Sequence, residues 1–347
     1  MFRRTIALMS GYTPGEQPPR ASKVIKLNTN ENPYPPSPKV AEAIRGALES
    51  GLQRYPDPHA TAFRMQAAEL LGVEPDWILC GNGSDDILTI VVRTFVDAGQ
   101  VIRFAAPSYV LYDTLASLQG AMADVVRYEP DWTLGYRFAQ TVDGLRLAIL
   151  ANPNSPSGTM LPPGEVAAIA DALPCPLLVD EAYVDFAQTS CVDLVRTNER
   201  IMVSRTLSKS YALAGLRFGF IVAQPQVVEQ LQKVKDSYNC DALSIAGATA
   251  AISDQDWLRA NVARVRASRS RLSDELQQMG FGLSESEANF VWATHPTASH
   301  EELYLTLKAQ GLLVRYMRFP HWGDGLRVSV GTDDQIDALL GLLRELV

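Results

Sequence analysis

The stretch TLSKSYALAGLRFGF, residues 206–220, follows directly on the apolar run RIMVSR at 200–205, and its reading decides the fold. The run before it has the length and β-branched character of a buried strand, so Lys209 stands just past a strand's carboxyl end, between Ser208 and Ser210. In open α/β sheets ligands bind in the crevice outside those ends. A lysine in such a crevice suits a group that must form an imine. Arg217, with Thr206 and Ser208, supplies part of a cup for a phosphate monoester, since charged hydrogen bonds contribute about 1.5–3 kcal/mol each.

The rest of the cup is expected from CGNGSDDILTI, residues 80–90, which reads as a strand, a glycine turn and a helix starting near Ser84. The free N–H groups and dipole of a helix start favour an anion. Taken alone, GNGS is an ordinary strand-to-helix turn. A third element joins it: PLLVDEAYVDF, residues 176–186, in which Asp180 ends an apolar strand. An ionised carboxylate there is costly unless it faces a cation. A protonated pyridine nitrogen is such a cation, and a ring kept protonated takes up the electrons released at a substrate's Cα. Tyr183, three residues later, is positioned to donate to a ring oxygen.

Outward from these elements the chain alternates. Short apolar runs (WILC, VIRFAA, ADVVRY, LRLAIL, PLLVD, RIMVSR, FGFIVA) are separated by helical stretches such as DILTIVVRTF, VLYDTLASLQ and GEVAAIADAL. Runs that are apolar throughout fit strands of a parallel sheet covered on both faces, so the pattern predicts a three-layer αβα domain. Ser37 and Pro38 read as the cap and first residue of a helix that Gly51 ends. Near Ser244 the texture changes to long helices, then to NFVWA, LLVRYM and LRVSV as strands of a smaller α+β domain. The expected division is an extended arm over 1–36, a large domain over 37–243 and a small domain over 244–347.

With 31 Lys and Arg against 39 Asp and Glu, the net charge of −8 is spread without long runs, which argues against a nucleic-acid surface. The four cysteines are scattered and form no CxxC pair, and none of the four histidines has metal-ligand spacing, so neither a disulfide framework nor a metal is expected. There is no stretch apolar enough for a membrane span and no secretory leader, and a cytoplasmic enzyme is the expectation.

Together YTPG, LNTNENPYPPSP, RYPDP, GNGSDD, APSY, NPNSPSG, VDEAY, TLSKSYALAGLRFGF and LRVSVGT resemble, in order and spacing, the fold-type-I aminotransferases that use pyridoxal 5′-phosphate, and more narrowly the histidinol-phosphate aminotransferases. The resemblance covers nearly the whole chain. It implies that Lys209 forms the Schiff base, Asp180 pairs with the pyridine nitrogen and Tyr183 contacts the ring's phenolic oxygen. It implies that the Ser84 and Asp85 amides, Thr206, Ser208 and Arg217 hold the phosphate, and that Tyr109 stacks on the ring. Tyr55 would reach the phosphate in the neighbouring subunit of a homodimer. Tyr12, Asn30, Arg315 and Arg327 would meet the substrate, the arginines because a guanidinium fork matches both carboxylate and phosphate. One position departs from the pattern: NPNSPSG has Ser155 where the family has a second Asn bonded to the phenolic oxygen. Ser155 acting through water, Asn154 in its place, or Tyr183 alone are the options, and Asn154 is taken here. The implied reaction moves an amino group between glutamate and imidazole-acetol phosphate in histidine biosynthesis. An aromatic or other amino-acid aminotransferase and a threonine-phosphate decarboxylase-like enzyme are the alternatives.

Overall fold

The computed structural model describes residues 1–9, 15–19, 22–320 and 322–347. Its centre is a seven-stranded sheet: β1 (Ile78–Gly81), β2 (Val101–Ala106), β3 (Met122–Arg127), β4 (Leu145–Ala151), β5 (Leu177–Asp180), β6 (Ile201–Thr206) and β7 (Gly219–Val222), in the order β1-β7-β6-β5-β4-β2-β3. Because successive side chains point to opposite faces, an unbroken apolar run feeds two cores at once. Leu177, Val179, Ile201, Val203, Phe220 and Val222 enter one core, while Leu178, Met202 and Ile221 enter the other. Fully burying a side chain of this size contributes about 1.5–3 kcal/mol.

The helices Ser84–Phe95, Leu111–Gln119 and Pro225–Val234 cover one face, and Pro38–Glu49, Thr61–Leu71, Pro163–Ala172 and Ala242–Ile252 cover the other. This is the three-layer αβα architecture expected of fold type I. The Ser37 hydroxyl accepts from the Lys39 amide at 3.2 Å, with Pro38 at the first helical position, and the helix ends two residues before Gly51, whose φ is +87°. The edge strand β3 is mostly exposed, unlike its neighbours.

The expected all-parallel sheet needs one correction: β7 runs antiparallel to both β1 and β6. A parallel return requires a crossover of a dozen or more residues, usually a helix. Between Thr206 and Gly219 only the 3₁₀ turn Ala214–Leu216 forms, and the chain turns straight back along β6.

A second core lies under a four-stranded antiparallel sheet of β8 (Gly282–Leu283), β9 (Phe290–Thr294), β10 (Arg315–Phe319) and β11 (Gly323–Ser329), ordered β10-β11-β9-β8. The helices Gln255–Gln278, His300–Ala309 and Asp333–Leu346 pack Leu272, Leu307 and Leu339 into it. Two neighbouring segments attach differently from what their local texture suggests. Helix Ala242–Ile252 packs on Pro38–Glu49 and shares the core of the large sheet. Ile25–Lys26, inside the stretch read as an arm, pairs in parallel with Leu312–Leu313, and Leu27 and Tyr34 join the second core. Just past that pairing, residues 28–31 line the cavity between the two sheets. Among the described residues no helix is long and apolar enough to cross a membrane.

Candidate active site

The carboxyl ends of β1, β4, β5 and β6 lie on one edge of the large sheet, because β7 is antiparallel to both strands it separates and leaves β1 pointing the same way as β6. These ends open onto a cavity of about 350 Å³ whose far wall is the small sheet. Ser84, Asp85, Tyr109, Asp180, Tyr183, Thr206, Ser208, Lys209, Arg217, Asn30, Arg315 and Arg327 all line it.

Past β6 the chain is pinned at each step. Leu207 is fully buried and its amide donates to the Phe218 carbonyl at 3.0 Å. The Ser208 amide donates to Thr206 Oγ1 at 3.2 Å, and the Thr206 hydroxyl donates to Ser208 Oγ at 3.0 Å. The Asn32 side-chain amide donates to the carbonyls of Lys209 and Ser210 at 3.1 and 3.0 Å. Lys209 is thereby held half-buried, its ammonium donating to the Thr29 carbonyl at 3.3 Å and lying 5.7 Å from the Tyr183 ring centre.

A cradle that could take an anion is assembled by backbone conformation. Arg217 has φ +53°, a left-handed value unusual for a residue with a side chain. Its guanidinium stands 3.5 Å from both Ser208 Oγ and Asp85 Oδ2. Gly83, at φ +87°, ends the turn before helix Ser84–Phe95, and a Cβ there would lie 2.7 Å from Arg217 Nη2. A Cβ on Gly219 would lie 2.8 Å from the Ser84 amide nitrogen. The two glycines thus let a helix start, a strand end and a guanidinium approach one point, where the first helical N–H groups have no intrahelical acceptor. The residues suit a dianionic phosphate.

Asp180 is 5 % exposed, and burial raises its carboxyl to about 6, against the lowering effect of hydrogen bonds from Tyr112 and Ser204. Tyr112 OH donates to Oδ2 at 2.8 Å and Ser204 Oγ to Oδ1 at 3.3 Å. A carboxylate this dry, with hydroxyl partners and a cavity in front of it, is suited to a cationic ring nitrogen. Tyr109 OH donates to Asp85 Oδ1 at 3.0 Å, and its ring stands edge-on to Tyr112. The Asn30 amide donates to Tyr183 OH at 3.0 Å.

On the facing wall Arg315 and Arg327 are direct cross-strand partners in the register of β10 and β11. Both guanidiniums line the cavity, and a guanidinium fork matches a carboxylate or a phosphate. Arg327 donates from Nη1 to Ser155 Oγ at 3.0 Å and from Nη2 to the Asn28 carbonyl at 3.1 Å.

One expected residue stands elsewhere. Asn154 is 1 % exposed and does not line the cavity. Its amide donates to the Pro107 carbonyl and Ser157 Oγ at 3.2 and 3.0 Å, and its Oδ1 accepts from Ser108 Oγ at 2.7 Å. Those bonds turn it into the loop, and Ser155 is the residue that faces the cavity. Tyr55 is 80 % exposed and stacked on Tyr238 at 4.4 Å, away from the cavity of its own chain. Tyr12 lies outside the described residues. Sequence reasoning missed Tyr112, Ser204 and Asn32. Tyr112 follows Tyr109 at helical spacing and reads as core, and Ser204 is a small polar residue inside an apolar strand, a faint sign of a buried partner.

The family model for class I and II aminotransferases matches residues 22–343. A histidinol-phosphate aminotransferase of Rhodopirellula baltica is 54 % identical over 340 residues, covering 98 % of this chain and 94 % of that protein. One from Trichormus variabilis is 44 % identical over 346 residues, covering 100 % and 99 %. Among solved structures, the histidinol-phosphate aminotransferase of Sinorhizobium meliloti in complex with pyridoxal-5′-phosphate superposes with a TM-score of 0.88 at 26 % identity, over 99 % of this chain and 97 % of that one. A sheet whose strand ends converge on a lysine, a dry aspartate and an anion cradle, in a chain this similar to those enzymes, belongs to the class I and II aminotransferase family and, within it, to the histidinol-phosphate aminotransferases.

Proposed function

We propose that this aminotransferase binds pyridoxal 5′-phosphate and transfers an amino group between glutamate and imidazole-acetol phosphate, giving 2-oxoglutarate and histidinol phosphate. The observation that carries the proposal is the pairing of Arg315 and Arg327 on the wall facing Lys209, across a cavity whose floor holds Asp180 and a separate anion cradle. Two anion sites on opposite sides of one cavity suit a phosphorylated cofactor on the floor and an anionic substrate above it.

Pyridoxal phosphate, when bound, supplies an electron sink for the pair left at the substrate's Cα when a proton leaves. The chain's own groups do the rest. Thr206, Ser208, Arg217 and the amides of Ser84 and Asp85 hold the phosphate. Asp180 holds a proton on the ring nitrogen, and Tyr183, oriented by Asn30, donates to the phenolic oxygen. Ser155, tied to Arg327, takes the place expected for Asn154 and links the ring side of the cavity to the substrate clamp. Lys209 would hold the cofactor through its side-chain nitrogen, which faces the cavity, and the same amine would take or return a proton at the substrate's Cα. Arg327 and Arg315 receive the glutamate carboxylates and, in the second half-reaction, the substrate phosphate, because a guanidinium fork fits both.

We propose further that the enzyme is a homodimer in which Tyr55 serves the partner's cradle. Its exposure, distance from its own cavity and fixed stacking on Tyr238 support that use. The four described cysteines are buried free thiols, which agrees with a reducing, cytoplasmic setting. The test is visible absorbance of the purified protein. Pyridoxal phosphate should bind and its band shift on adding glutamate or histidinol phosphate. In a coupled assay, imidazole-acetol phosphate should exceed aromatic keto acids in kcat/KM. A faster reaction with an aromatic keto acid, or carbon dioxide release from phosphothreonine, would replace this substrate assignment.

A further inference from the structure

We infer that Tyr112 is a positioning residue for the reaction: its phenol, bonded to Asp180, makes that carboxylate a weaker base and so keeps a proton on the cofactor's ring nitrogen. This rests on the proposed binding of pyridoxal phosphate. Tyr112 is 1 % exposed, and its hydroxyl stands 2.8 Å from Asp180 Oδ2. In a dry site a pyridinium and a carboxylate can lower their energy by passing the proton to the carboxylate, which leaves two neutral partners. A donor already bound to the carboxylate opposes that transfer, because it stabilises the ionised form. Ser204 does the same at 3.3 Å, less effectively at that length.

Asp180 is surrounded from every packed element. Tyr112 belongs to helix Leu111–Gln119 and Ser204 to β6, and Asp85 on helix Ser84–Phe95 acts against the charge. Tyr109 and Tyr183 stand at the cavity wall, with Lys209 and Arg217 across it. Burial, then the charge of Asp180, pushes the Tyr112 phenol well above its ordinary range, so it remains a donor through the working pH. Its ring packs edge-on to Tyr109 and tilted to Phe104, contacts a phenylalanine would keep.

The experiment compares Tyr112→Phe with the parent enzyme loaded with ¹⁵N-labelled pyridoxal phosphate. Expected are a ring-nitrogen resonance displaced toward the unprotonated position and a kcat lower by about tenfold, the scale of one hydrogen bond to a charged group, with KM for glutamate unchanged. Ser204→Ala should move both in the same direction by less. A ring-nitrogen resonance identical to the parent's, or a loss confined to KM, would overturn the inference while leaving the function standing. If no pyridoxal phosphate binds, the proposed function fails instead. The hydrogen bond is then read from melting temperature against pH: Tyr112→Phe must lose more stability than the parent between pH 5 and 8, and must lose nothing extra in an Asp180→Asn background. A parallel loss in both backgrounds overturns the inference.

Discussion

Asp180 and Glu181 are adjacent carboxylates at the end of one strand, both buried, and they meet opposite fates. Strand alternation sends them to different faces. Glu181 accepts from Arg205 Nε and Nη2 at 3.1 and 2.9 Å, from Ser190 Oγ and from the Cys191 amide. Burial is the larger effect and leaves the Glu181 carboxyl raised, against the pull of Arg205 and the hydrogen bonds, and Arg205 stands 2.9 Å from it inside that shell. Asp180 receives two hydroxyls and faces a cavity. A carboxylate fully compensated by its own protein holds structure together. One left for a ligand's cation to complete is available for chemistry.

The comparison can be broken in four ways, taken from the largest effect down. Lys209→Ala leaves both carboxylates as they are, yet transamination should fall below detection and the glutamate-dependent change in absorbance should vanish; measurable turnover would remove Lys209 from the centre of the site. Asp180→Asn should lower kcat on the order of 10²-fold, the scale of losing a preorganised charge contact. The same change should stabilise the cofactor-free protein. A carboxyl raised from 3.8 to about 6 adds stability while protonated, below about pH 4, and that contribution is gone above about pH 6. The variant should therefore gain on the order of 3 kcal/mol over the parent at pH 8, at about 1.4 kcal/mol per pH unit, and nothing at pH 4.

Glu181→Gln should do the reverse. Breaking a buried pair costs about 3–5 kcal/mol because the remaining charge is left uncompensated. Denaturant unfolding should show that loss, while kcat of the folded enzyme stays within about threefold of the parent; a loss of kcat with intact stability would make Glu181 part of the chemistry. The smallest effect belongs to Arg205→Lys, which keeps the charge but loses the fork. It should destabilise by about 1–2 kcal/mol in the same unfolding assay. Equal stability would mean that charge alone, without the bidentate geometry, completes the Glu181 shell.

Much of this site is legible in residue order, because its parts sit at fixed offsets from strand ends. Lys209 follows β6 by three residues, Ser84 follows β1 by three, and Asp180 is the last residue of β5. A strand end is a local event that an apolar run and a glycine announce. Asn154 and Ser155 show where that method stops. They are neighbours in one loop, and which of them faces the cavity depends on whether Ser108 and the Pro107 carbonyl are there to capture the amide. Those partners lie more than forty residues away. The antiparallel β7 is a similar case: FGFIVA is as apolar as a parallel strand, and its direction depends on the absence of a crossover helix before it.

By itself the sequence determined a doubly covered sheet, the family, and the lysine, aspartate and anion cradle at its strand ends, since strand period, turn glycines and spacing are short-range properties of the chain. Only the tertiary structure decided that Tyr112 and Ser204 hold Asp180, that Ser155 and not Asn154 faces the cavity, and that Arg315 stands opposite Arg327 on the far wall. Those contacts join residues far apart in the chain, and a side chain's direction at a bend follows from the partners that folding brings to it.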